Sequence, residues 1–246
     1  MECFERGLIT ERDTEGITLR FGDDAAMIAM LKKIVKKEGL GRILSQGTRY
    51  AATQIPGSES FAMHAKGLEF GGYECRGSWG QALQFAINAR GGCHHGYGLP
   101  ARVEHIKGLG TTVTGKGEMV KNAAIRRIIC DSLILCTFPF PKIYNDETVS
   151  ALFSALVGRE FSTEEVLKIG ENVQTMERIF NIREGLTRED DRLPLRLIQE
   201  PLPDGPNKGS VVPLEQLKDD YYRAMGWDIS TGIPPKEAYE KLGITY

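Results

Sequence analysis

The chain of 246 residues has no excess of charge of either sign: 31 Lys and Arg stand against 33 Asp and Glu, a formal net charge of −2. That balance creates no broad basic field, which removes long-range attraction to nucleic acid or anionic lipid as a means of finding a partner. Long apolar runs are missing as well. No stretch approaches the roughly 20 residues that cross a bilayer, and Met1 to Arg6 lacks the apolar core of a signal peptide, so a cytoplasmic location is expected. Cysteine is scarce and irregular. Cys3, Cys75, Cys93, Cys130 and Cys136 make an odd count that argues against a secreted disulfide framework, and without a C-x-x-C pair the chain cannot build the usual four-cysteine metal site alone. No alternating run is long enough to seed a sheet, and no repeat of fixed period occurs.

Helical periodicity is what remains, with 41% apolar residues to bury in one large core or two modest ones. Met1 to Gly7 reads as the final turns of a helix closed by glycine, as if the chain began inside an element. Asp23 or Asp24 caps a helix bearing Ala26, Met27, Met30, Leu31 and Ile34, which Lys36, Lys37 and Gly39 close. Leu40 to Ile55 predicts a second helix, weakened by Gly47 and ended by Pro56-Gly57. Five glycines over residues 67–80 indicate an irregular path before helical spacing resumes at Gln81 to Asn88. Lys116 to Leu135 carries an apolar stripe wide enough for burial on more than one side and is expected to be central. Asp146 to Val157 is helical, and Ser162 with Glu165 forms a capping box opening a helix with Val166, Leu167, Ile169, Val173, Met176, Ile179 and Phe180. Five of the 11 prolines fall between Arg188 and Pro213, which reads as an extended surface arm near 186–213. Leu214 to Met225 and the residues after Pro234-Pro235 are helical again. The fold class is mainly α.

Three stretches could carry chemistry, and each has a plainer reading. In ARGGCHHGYGLP, Ala89 to Pro100, four glycines crowd around Cys93, His94 and His95. Neighbouring side chains diverge, so these three do not suit one zinc ion, whereas a single histidine on such a loop can donate a proton or hydrogen bond near neutrality, or simply cap a helix. Asp131 to Cys136 ends the long apolar helix, where an aspartate must be hydrogen-bonded and a cysteine is ordinarily a small core residue. In YECRG, Glu74 and Arg76 flank Cys75 and read most simply as a surface ion pair.

The order ARGGCH, the helix ending in Asp131 to Cys136, ERIFNIREGLTREDDRLPLRL, EPLPDGPNKG and YYRAMGWDISTGIPPKEAYEKLGI closely resembles the C-terminal part of tungsten-containing aldehyde ferredoxin oxidoreductases, from Met1 to Tyr246. Glu177 to Leu197 and Tyr221 to Ile244 are the most specific segments. The resemblance implies two multihelical domains behind an N-terminal β-rich base domain absent from this sequence. Residues 1–62 would be the last part of the first helical domain and 63–246 the second. It also implies a tungsten, or molybdenum, bis-pterin group beside a 4Fe-4S cluster, with aldehydes oxidised to carboxylic acids and electrons passed to ferredoxin.

On the matching positions, Asp131 takes the place of the aspartate in the family's D-x-x-G-L-C motif that hydrogen-bonds one pterin. Leu135 takes the motif's leucine beside the cofactor, and Cys136 the fourth cluster ligand. His94 takes the place of the active-site histidine that donates to the reacting oxygen, and the glycines around it would let the chain run close under the cofactor. Ile134 replaces the motif's glycine. Glu74 and Arg76 keep the charges of a family loop near the cofactor and are candidate pocket residues. Ile28 stands where some members place a histidine on an iron bridging two subunits, so no bridging iron is expected. The other three cluster cysteines, the first pterin motif and the active-site glutamate would lie upstream. A 4Fe-4S cluster needs four thiolates, so both cofactors require residues from an N-terminal part of the same enzyme or a separate subunit, and the chain alone should be inactive. The rival reading is a non-catalytic helical interaction module, a relic without cofactor.

Overall fold

Short local signals set most helix ends. Twelve α-helices form among the described residues, which in this computed structural model are 1–140 and 142–245. The first, α1 (Glu2–Glu5), is a single turn followed by Gly7 at φ 73°. Asp23 accepts a hydrogen bond from the Ala26 amide at 2.8 Å and opens α2 (Asp24–Lys36). The helix expected from Leu40 to Ile55 is in fact two, α3 (Leu40–Leu44) and α4 (Thr48–Gln54). They part at Gly47, whose φ of 87° lies outside any right-handed helix. A small antiparallel hairpin pairs β1 (His64–Ala65) with β2 (Leu68–Glu69). Two residues per strand are too few for alternation to appear in the sequence.

After the hairpin come α5 (Trp79–Ile87) and α6 (Pro100–Lys107). Apolar spacing does not mark α6, whose sequence PARVEHIK is largely polar. Its signals are a proline in the first turn and Gly108 in the left-handed region just past the end. The remaining helices are α7 (Lys116–Ser132), α8 (Asp146–Val157), α9 (Thr163–Arg183), α10 (Leu195–Gln199), α11 (Leu214–Met225) and α12 (Lys236–Lys241). Central position for α7 is borne out: it lies against α11, α9 and α5. Two glycines permit the close approach. A Cβ on Gly117 would sit 2.3 Å from the Asp220 carbonyl oxygen, and one on Gly170 2.9 Å from Ile129 Cγ1.

The core divides. Ile9, Leu19, Ala26, Met30, Leu40 and Ile55 form one cluster confined to the first 62 residues, while Leu83, Phe85, Val120, Ala124, Leu217, Tyr221 and Trp227 belong to a larger one around α5, α7 and α11. Burying each large apolar side chain contributes about 1.5–3 kcal/mol, so the second cluster dominates. The capping box of Ser162 and Glu165 forms as expected at the start of α9. The buried face of α9 is less apolar than its sequence suggests. Gln174 and Arg178 are buried, whereas Ile169, Met176 and Phe180 face outward.

The partners of Arg178 account for its burial. It donates to Asp191 Oδ2 at 2.8 Å and to the Gly232 carbonyl at 3.0 Å, and Lys66 Nζ lies 2.7 Å from Asp191 Oδ1. The Tyr222 hydroxyl also donates to Asp191. Burial pushes the Lys66 ammonium below the ordinary lysine value, against the pull of Asp191. The segment near 186–213 is therefore no loose arm. It turns into α10 and buries Asp191, Leu193, Leu197 and Val212.

Candidate functional site

The glycine loop between α5 and α6 is tied down from two helices. Gln84 and Asn88 both donate to the Cys93 carbonyl at 2.9 Å. From α9, Asn181 donates to the Ala89 carbonyl at 2.8 Å, and Glu177 Oε2 accepts from the Tyr97 hydroxyl at 2.9 Å. Each of the crowded glycines has a reason inside the chain. A Cβ at Gly91, where φ is 93°, would meet the Ala65 carbonyl oxygen at 2.1 Å, and at Gly92 the Leu68 carbonyl oxygen at 2.4 Å. At Gly96 it would meet Asn88 Nδ2 at 2.1 Å. The hairpin and Asn88 make the demand that the sequence reading placed on a cofactor.

On this loop the His94 and His95 rings lie 4.0 Å apart, and His94 stands 5.4 Å from the Tyr73 ring. Burial lowers the His95 pKa, and His94, Arg127 and Arg90 lower it further against the opposing charge of Asp131. Cys93 has the Arg90 guanidinium 3.1 Å from its sulfur.

At the far end of α7 the chain makes a two-bond glycine-type turn without a glycine. The Leu135 amide donates to the Cys130 carbonyl at 2.8 Å and the Ile134 amide to the Asp131 carbonyl at 3.1 Å, with Ile134 at φ 58°. A β-branched residue is rarely found there, and the left-handed conformation costs it about 1–2 kcal/mol. Ile134 nonetheless keeps the backbone that glycine would favour. The turn places Leu135 in a small apolar cluster with Ile125, Ile129 and Val149, and leaves Cys136 exposed. Arg127 braces it, pairing with Asp131 at 3.0 Å and donating to Thr137.

Asp131, whose side chain is 47% exposed, borders a groove of about 280 Å³ that Asn88, Arg90, Tyr97, Ile128, Ser132 and Glu177 also line. Asp131 and the glycine loop thus meet at one groove. His94, on the same loop, packs against Tyr73, and neither it nor Cys136 on the exposed turn lines the groove. Glu74 and Arg76 lie elsewhere: they bond each other at 2.8 and 2.9 Å, and Arg76 also reaches the Glu200 carbonyl at 2.9 Å. Among the described residues no three or more His, Cys, Asp or Glu form a group able to hold a metal ion, so Cys136 stands as a single thiol. The sequence reading missed Glu177, Tyr97, Asn88 and Arg127. The available signal was in α9, where Val173, Glu177 and Asn181 share one face at helical spacing.

Comparison with known proteins decides the family. A profile for aldehyde ferredoxin oxidoreductase, domains 2 and 3, matches residues 1–244. The chain belongs to the aldehyde ferredoxin oxidoreductase family. It is 36% identical over 257 residues to the tungsten-containing aldehyde ferredoxin oxidoreductase of Pyrococcus abyssi (strain GE5 / Orsay), covering 99% of this chain and 41% of that protein. Against the aliphatic sulfonate oxidoreductase, WOR-like subunit, of Pyrococcus furiosus it is 33% identical over 260 residues, covering 99% and 38%. Among solved structures, the active-site complex BamBC of benzoyl coenzyme A reductase with 1,5-dienoyl-CoA superposes with a TM-score of 0.73 at 24% identity, over 99% of this chain and 42% of that one. That likeness is one of fold. The chain spans about two fifths of the length of the curated relatives it matches, and it corresponds to the helical C-terminal domains of the family. No described helix is long and apolar enough to cross a membrane.

Proposed function

We propose that this chain forms the cofactor-facing helical wall of a cytoplasmic oxidoreductase that converts aldehydes to carboxylic acids. Water would give the added oxygen with release of two protons, a 4Fe-4S cluster would supply the path for the two electrons to ferredoxin, and the wall works only with an N-terminal base, whether part of the same polypeptide or a separate subunit. When bound, a tungsten- or molybdenum-containing bis-pterin supplies the redox centre for that reaction. The observation that carries this reading is the end of α7, where Asp131 borders the groove and a left-handed Ile134 turns the chain to present an exposed Cys136.

The residues fit those groups in part. A half-exposed carboxylate beside a polar groove suits the N–H edge of a pterin, with Leu135 packed behind the turn. One thiol cannot hold a 4Fe-4S cluster, so Cys136 acts here as the last of four ligands, the others being supplied from outside. His94 is the proton or hydrogen-bond donor to the reacting oxygen, chosen because its ring is presented from a tethered loop. Glu74 and Arg76 act from outside the groove: their pairing holds the loop whose Tyr73 packs against His94. The division near residue 62 follows the confinement of the first apolar cluster to residues before it.

The test is co-purification with a base domain from this family and assay of tungsten, molybdenum and iron. Stoichiometric metal, with iron lost in Cys136→Ser, supports the enzyme. A stable complex free of metal supports the relic instead.

A further inference from the structure

The groove beside α7 offers many more hydrogen-bond acceptors than donors. Buried Tyr97 gives its hydroxyl proton to Glu177 Oε2 at 2.9 Å. Ser132 gives its own to the Ile128 carbonyl at 2.8 Å, which leaves it only lone pairs to offer. Asn88 spends an N–H on the Cys93 carbonyl. Asp131 is a second carboxylate, shared with Arg127. Arg90 is the one cation among the lining residues, and it already reaches the Cys93 sulfur. Glu177 Oε1 has no hydrogen-bond partner among the described residues. Burial pushes the Glu177 carboxyl above the ordinary glutamate value, and Asp131 adds to that, while the Tyr97 bond and Arg90 oppose it. A volume near 280 Å³ lies at the small end of ligand pockets, which suits one ring system.

We propose that Glu177 is a ligand-binding residue of this groove, the acceptor for an amino group that sits beside a ring N–H on the flat edge of the group the wall faces. Glu177 accepts from that edge, Tyr97 steadies the carboxyl group from behind, and Asp131 takes a second donor. This rests on the reading of the α7 wall as cofactor-facing, which already gives Asp131 an N–H edge, and adds to it a second acceptor. The assignment comes from packing: α9 brings Glu177 to the groove from 46 residues beyond Asp131.

Two fluorescent bicyclic probes separate the alternatives on the whole chain. Pterin carries the amino group, and lumazine has a carbonyl oxygen in its place. Losing a donor and leaving a carboxylate unpaired should cost about tenfold or more in affinity, so pterin is expected to bind at least that much more tightly than lumazine. Glu177→Gln, which turns an acceptor into a donor, is expected to remove most of that preference, and Tyr97→Phe to weaken pterin several-fold with the far-UV circular dichroism unchanged. Equal affinity for the two probes, or no binding of either up to millimolar concentration, overturns the proposal. So does a preference that survives Glu177→Gln. If Asp131→Asn then abolishes pterin binding, the cofactor-facing reading stands and only the role of Glu177 falls; if Asp131→Asn leaves it unchanged, both fall.

Discussion

Two clusters of charge in this chain have opposite characters. Around Asp191, which is 0% exposed, Lys66, Arg178 and Tyr222 bring partners from the hairpin, α9 and α11, and nearly every charge is answered within the chain. Around Asp131 the carboxylates are half-exposed or half-satisfied, the turn is held by an unfavourable Ile134, and Cys136 lies open. A buried ionic group is tolerated only when its neighbours satisfy it, so the first cluster holds elements together. The second leaves hydrogen-bonding and ligating capacity unused, which is what a surface that receives a ligand requires. The segments that most specifically mark the family, Glu177 to Leu197 and Tyr221 to Ile244, contribute mainly to the first. Arg178, Asp191, Tyr222 and Gly232 all come from them.

The sharpest way to break this contrast is to replace one acid by its amide in each cluster. Asp191→Asn leaves Lys66 and Arg178 buried without their counter-charge and is expected to lose about 3–5 kcal/mol in urea unfolding. A loss below about 1 kcal/mol would mean that the network does not hold the tail. Ile134→Gly should gain about 1 kcal/mol, because glycine adopts the left-handed angles without strain. No gain would show that the turn is not strained as the backbone implies.

Glu177→Gln tests the sign at the other cluster. Because the folded-state pKa of Glu177 is raised, its contribution to stability is fully present below the unfolded value and is lost as pH rises through the folded one. The amide is therefore expected to leave stability unchanged at low pH and to become relatively more stabilising above the ordinary glutamate range. A melting series across pH checks this, and a variant that falls behind the parent as pH rises would contradict it. Smallest of all, Cys136→Ser should alter stability by no more than about 0.5 kcal/mol, since an exposed thiol has little packing to lose.

Much of the fold was legible beforehand. The Asp23 cap, the Ser162 capping box and the stripe of α7 depend on residues close in sequence, and they fall where spacing puts them. What escaped was either too short or too mixed for periodicity: the hairpin, the full break at Gly47 where only a weak point was expected, and α6 with its polar sequence. At the site, Asp131 and Cys136 were reached through a local motif. Glu177 was not: spacing shows that it shares a face of α9 with Val173 and Asn181, but not that this face turns toward residues 88–97.

The sequence alone determined a mainly helical chain and its family, because each depends on short stretches of residues. Only the tertiary structure decided that the glycines of the loop press on a hairpin and an asparagine, that Arg178 and Asp191 meet in the dry interior, and that Glu177 shares a groove with Asp131. Those facts depend on which helix faces pack together, and packing is settled by contacts between residues far apart in the chain.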